Sequence, residues 1–117
     1  MPNTELKNDV ERWEDIRVAN TQGVFESVPS GDTFSVSVDN TANGFAELGT
    51  NPKTGNPGRG VRRATGAADG VSFTVTVNDT TGLHPWVETF DVVPDTTPTE
   101  IVGDPNSVTE VPLPPGV

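Results

Sequence analysis

Phe34-Ser35-Val36-Ser37-Val38-Asp39 and Phe73-Thr74-Val75-Thr76-Val77-Asn78 decide the fold. In both, apolar residues alternate strictly with small polar or acidic ones. That period of two puts three apolar side chains on one face of a strand and leaves the other face to water. Pro29-Ser30-Gly31-Asp32 leads into the first stretch and Asn40-Thr41-Ala42-Asn43-Gly44 closes it. Gly70 precedes the second, and Asn78-Asp79-Thr80-Thr81-Gly82 ends it. Residues of these types set tight turns, so both stretches read as bounded strands. Two copies are too few for a solenoid, and two equivalent strands of one sandwich explain the repetition.

Working outward, Val87 to Val93 reads as a further strand with Trp86, Phe90 and Val92 toward the core and Glu88 on the same side. Val24 to Val28 reads as a short strand after the turn Asn20-Thr21-Gln22-Gly23. Residues 1–14 read as an N-terminal arm. Val10, Trp13 and Arg17 would share a helical face with Asp9 as N-cap, giving a short helical turn or arm before a strand at Asp15 to Asn20. Between the two decisive stretches, residues 45–68 hold five glycines and two prolines, which predicts a long loop with at most a short strand at Val61 to Thr65. Such loops often carry function. Residues 94–117 contain six prolines and read as an extended tail with at most an edge strand near Ser107 to Val111. Its short apolar spots, Ile101-Val102, Val108, Val111 and Leu113, could pin it to a neighbouring subunit. The sandwich itself is expected over residues 15–93.

Composition narrows the function classes. The 117 residues suit one domain, and with 32% apolar content, 12 Gly and 11 Pro the core must be thin. Seventeen acidic residues against seven basic ones give a net charge of −10, which repels nucleic-acid phosphates and anionic lipid. Neither nucleic acid nor membrane is therefore expected as a partner. Only Lys7 and Lys53 are lysines. A carboxylate-dense, lysine-poor surface suits a halophilic protein, with an ordinary acidic protein as the alternative. The absence of Cys excludes disulfides, thiolate metal sites and cysteine nucleophiles. The start lacks a basic stretch followed by an apolar one, and no run approaches the roughly 20 apolar residues of a membrane span, so a soluble chain is expected.

Few residues suggest chemistry. The single histidine, His84, sits in a turn context, and no serine stands in a Gly-x-Ser-x-Gly elbow that would need it as a base. Asp39-Asn40 and Asn78-Asp79 carry oxygen ligands but not the spacing of a calcium loop, and turn-closing side chains explain them. Gly55-Asn56-Pro57-Gly58-Arg59-Gly60 lacks the Gly-Lys-Ser/Thr ending of a phosphate loop. Asn78-Asp79-Thr80 matches a glycosylation acceptor pattern. No enzyme activity, metal or cofactor is expected. The cluster Arg59, Arg62 and Arg63, three of five arginines in an acidic chain, is the candidate interaction site, since the guanidinium fork pairs with carboxylates at interfaces. Arginines balancing acids on their own surface are the alternative.

Asp15-Ile16-Arg17-Val18-Ala19-Asn20-Thr21 followed by Val28-Pro29-Ser30-Gly31-Asp32-Thr33-Phe34-Ser35-Val36-Ser37-Val38 resembles the strand, Pro-Gly-acid turn, strand pattern of immunoglobulin-like sandwiches. The Cys and Trp core pair of antibody domains is missing. With its acidic, lysine-poor composition, extended ends and small size, the chain resembles small virion structural proteins of haloarchaeal tailed viruses, such as capsid decoration or turret subunits. That resemblance implies an antiparallel immunoglobulin-like β-sandwich located in the virion, an oligomer that binds copies of itself and a larger particle. The second reading is a carbohydrate-binding or adhesion module. It would need an exposed aromatic platform, for which Trp13 and Trp86 are the two tryptophans, and Trp13 joins the arginines as a candidate contact residue.

Overall fold

The computed structural model describes residues 2–95, 98 and 100–116. Nine strands run through them: β1 (Thr4–Lys7), β2 (Arg12–Asp15), β3 (Val18–Ala19), β4 (Phe25–Glu26), β5 (Phe34–Val38), β6 (Gly44–Thr50), β7 (Pro57–Arg63), β8 (Ser72–Asp79) and β9 (Trp86–Val93). They form a four-stranded sheet in the order β1-β9-β8-β5, a three-stranded sheet β2-β7-β6 and a small ribbon β3-β4. All pairings are antiparallel except β1 with β9. The two larger sheets lie face to face, giving an all-β, sandwich-like body.

The alternating stretches behave as their pattern predicts. Phe73, Val75 and Val77 of β8 are buried, and Val36 and Val38 of edge strand β5 pack beside the core half-buried. Phe73 pairs in register with Phe90 of β9, their rings stacked at 5.7 Å. Leu6, Val61 and Val92 complete the buried cluster. On the solvent face of the same strands, polar partners meet across the ladder: Ser72 Oγ donates to Asp91, and the Thr74 and Thr89 hydroxyls share a hydrogen bond of 2.8 Å. Cross-strand pairs of this kind add modestly to sheet stability.

Three regions depart from the sequence expectations. Residues 1–14 are not a loose arm, because β1 adds to the large sheet and β2 to the small one, with Leu6 1% exposed. A strand this short presents only Thr4 and Leu6 inward, too few for a period to register, and its parallel partner lies far along the chain. β2 replaces the helical turn expected near Trp13, and the strand expected at Asp15 to Asn20 divides between the end of β2 and β3. The strand expected from Val24 to Val28 shrinks to β4.

Residues 45–68 are largely a hairpin, β6–β7, rather than a loop. The glycines within its strands serve close packing, whereas Gly55 and Gly66 take the left-handed backbone of turns. A Cβ on Gly44 would lie 2.2 Å from the Phe73 ring of the opposing sheet, and one on Gly60 would lie 2.7 Å from the Trp13 indole. Glycine here lets side chains press on backbone, which erases the usual strand signature.

The tail, over its described residues 98 and 100–116, belongs to no strand and is exposed. Instead of an edge strand at 107–111 there is a single 3₁₀ turn, Pro105–Ser107, begun by Asp104, whose carboxylate accepts the Asn106 N–H at 2.9 Å. Met1, Thr96, Thr97, Thr99 and Val117, which the arm and tail expectations include, lie outside the described residues. The radius of gyration is 22.4 Å, against about 13 Å for a compact domain of about 100 residues, so the tail stands away from the body.

Candidate functional site

Alternation along β7 separates the three arginines. Arg59, Val61 and Arg63 take one parity, and Gly60 and Arg62 take the other. Arg59 is fully buried between the sheets. Its Nη2 donates to Glu88 of β9 at 2.6 Å and lies 3.8 Å from Glu14 of β2. The guanidinium stacks 3.6 Å from the Trp86 ring centroid, with Phe90 at 5.3 Å. Its Nε and Nη1 are buried without a hydrogen-bond partner among the described residues, so aromatic faces do much of the work of solvating the cation. Burial opposes ionisation of Glu88. The hydrogen bonds from Arg59 and from Thr4, with the Arg59 charge, outweigh it and hold the Glu88 pKa below its ordinary value.

Arg59 is therefore a pin between sheets and not an interface residue. Arg63 is also committed internally: Nε donates to the Asn8 carbonyl at 2.6 Å and Nη1 to the Ala67 carbonyl at 2.9 Å. Adjacency in sequence had suggested one patch, and strand parity divides it. The missed partner was visible in Glu88, a carboxylate on the apolar side of its strand. A carboxylate drawn partly out of water favours a cation beside it.

Arg62 alone of the three faces outward, on the solvent side of the β2-β7-β6 sheet. There its guanidinium lies 4.2 Å from the ring centroid of Phe45, which is 38% exposed, and Nε lies 3.8 Å from Glu11. Trp13 shares this face, paired in register with Gly60 and touching the positions of Gly60 and Gly49. Burial, then the neighbouring Glu47 carboxylate, push the Glu11 pKa up. Trp13 and Arg62 thus lie on one surface of aromatic rings and charged groups.

A further concavity lies where the chain leaves β2 toward the β3–β4 ribbon and where β8 turns into β9. It is a cleft of about 330 Å³. Ile16, Val18, Phe25, Phe34, Leu83 and Trp86 give it apolar and aromatic walls. Glu14, Asp15, Arg17, Asp79 and His84 supply polar groups. Two of the carboxylates are fixed by local donors. The Thr81 hydroxyl, with the Leu83 backbone N–H among others, brings the Asp79 pKa down to about 2. Hydrogen bonds from Thr54, Asn56 and Asn51 lower that of Asp15. His84, expected in a loop, lies on the cleft wall with Nδ1 3.0 Å from the Pro85 carbonyl oxygen. Asn40 closes a turn as expected, accepting the Ala42 N–H, whereas Asp39 accepts the Thr74 N–H of the neighbouring strand β8.

Chemically the cleft offers aromatic surface beside permanent negative charge, at the small end of the roughly 300–1,000 Å³ typical of ligand pockets. Among the described residues, no helix is long and apolar enough to cross a membrane. Comparison with protein-family models, with curated proteins and with solved structures finds no match to this chain.

Proposed function

We propose that the chain is a non-enzymatic assembly subunit that fixes a small immunoglobulin-like module to neighbouring protein subunits of a larger particle, such as a virion. The observation that carries this reading is the tail. Ile101, Val102, Val108, Val111 and Leu113 are between 72% and 102% exposed, with no partner surface on their own body. Burying such a side chain is worth roughly 1.5–3 kcal/mol, so a neighbour that covers them gains a strong anchor. The stacked sheets support the immunoglobulin-like assignment, and the Arg59–Glu88 pair links them in a chain that has no Cys. The net charge of −10 keeps the free surface hydrated and supports the halophilic setting.

Cross-linking of the native assembly through carboxylates tests this reading. Links from Asp104 and Glu110 of the tail to another polypeptide are expected. Recovery of the native protein as a free monomer with an uncross-linked tail would overturn it.

A second reading has its own observation. Trp13, laid across glycine positions beside Phe45, Arg62 and Glu11, forms the kind of flat aromatic surface with flanking polar groups on which a sugar ring stacks. Glycan-array binding that disappears in Trp13→Ala would favour a carbohydrate-binding or adhesion module.

A further inference from the structure

We infer that the cleft between the β3–β4 ribbon and the β8–β9 turn receives the proline-rich segment Val111-Pro112-Leu113-Pro114-Pro115 from the tail of a second copy. This rests on the assembly reading above and names the partner and the site. Proline-rich segments hold a left-handed extended helix before binding, so they lose little entropy on docking, and aromatic-lined grooves are their usual receptors. The cleft has that lining in Phe25, Phe34, Trp86 and Leu83. Phe25 and Leu83 are 59% and 41% exposed at its lip, available to close over an incoming chain.

Charge selects the segment. Glu14, Asp15 and Asp79 would repel an acidic peptide, and the tail carries Glu100, Asp104 and Glu110. Val111 to Gly116 has no charge, and it holds prolines at 112, 114 and 115 with Leu113 between them. Glu110, immediately before it, has a counterpart in Arg17, a cation of the cleft whose guanidinium lies 4.3 Å from the Phe25 ring centroid. The donor is a second copy because the tail stands off its own body with every described residue from Glu100 onward exposed. Such a contact joins two different surfaces, so it builds open chains or rings, the smallest of which is a pair that exchange tails reciprocally.

Sedimentation equilibrium of the full chain across about a hundredfold range of concentration tests the inference, with two variants. One carries Leu113→Asp in the tail. The other carries Phe25→Asp and Leu83→Asp at the cleft lip, where exposure lets the fold tolerate the change; unchanged thermal melts check this. The wild-type mass should climb with concentration to that of a dimer or beyond, and each variant alone should remain monomeric. Mixed, the two variants should form a one-to-one dimer and no larger species, because only one intact cleft and one intact tail can meet. A wild type that stays monomeric throughout overturns self-docking and leaves the cross-linking test of the assembly reading to stand or fall separately. Association lost in Leu113→Asp but kept in the lip variant would overturn the cleft as receptor while supporting a tail-led assembly.

Discussion

β8 and β7, an inner strand of each stacked sheet, solve the same packing problem with opposite residues. β8 fills the interior with Phe73, Val75 and Val77, and its neighbours need only be apolar. β7 supplies Val61 and the fully buried Arg59, and leaves room for its surroundings with Gly58 and Gly60. An apolar strand is forgiving, because a neighbouring methyl group can shift to fill a gap. A strand built on a buried cation is not, because Arg59 must meet Glu88 and the Trp86 face together.

The largest effect expected from breaking this contrast is at Arg59. Arg59→Ala leaves Glu88 half-buried beside an empty space and should lower stability by about 3–5 kcal/mol, the usual result of removing one partner of a buried pair. Chemical denaturation measures it. Replacing the pair together, Arg59→Met with Glu88→Leu, should recover most of that loss, since apolar residues of similar volume often match a buried ion pair. Failure to recover would mean that the aromatic contact of the cation, more than its charge partner, holds the sheets.

Gly44 comes next, at the start of the strand beside β7. Gly44→Ala drives a methyl into the Phe73 ring and should cost about 1–3 kcal/mol through overpacking. Pairing it with Phe73→Leu should return part of the loss, a coupling that a double-mutant cycle reads directly.

The same contrast explains what was legible in the sequence. β5, β8 and β9 could be read because alternation of Phe and Val with Ser, Thr and Asp states both the strand and its buried face. The β6–β7 hairpin could not, because the glycines in its strands owe their places to residues distant in sequence: Gly44 to Phe73, Gly60 to Trp13. Glycine density by itself says loop. β1 was hidden for a related reason, since a four-residue strand shows no period until its parallel partner is known. For the site, the sequence singled out Trp13 and Arg62, which the structure places on one outer face, whereas the cleft was not legible. Its walls come from four separate stretches of chain, and no local pattern announces that they converge.

Acid should act in opposite directions on carboxylates held by donors and on carboxylates crowded by burial or by one another. The folded pKa of Glu88 lies below its ordinary 4.5, so its stabilising effect is complete above that value and fades as pH falls below it. Glu11, crowded by burial and by Glu47, and Asp9, which shares a hydrogen bond with Asp95, have raised values. Their ionised forms weaken the fold near neutrality, a cost relieved as pH falls through those raised values. The melting temperature should therefore rise slightly as pH falls through the raised values of Glu11 and Asp9, and then drop as pH falls below the ordinary 4.5 of Glu88 toward the value of about 2 of Asp79. In 1 M salt, where the Debye length falls to about 3 Å, the rise should shrink only by the share that the Glu47 and Asp95 charges contribute, while the drop persists. A drop that salt also removes would place Glu88 in solvent, contrary to its buried pairing.

The smallest effect is expected three residues from the largest. Arg62→Glu puts a carboxylate on the outer face of β7, beside Glu11 and over Phe45, where water and salt screen it. Monomer stability should change by no more than about 0.5 kcal/mol, as at most exposed positions. Arg59→Glu, made in parallel, should unfold the domain, because it sets a second carboxylate against Glu88 in the interior. Parity along a single strand is then the sole difference between the two substitutions. Comparable losses at both positions would show that Arg62 is held as rigidly as Arg59, and that the outer surface shared with Trp13 is packed structure and not a face open to contact.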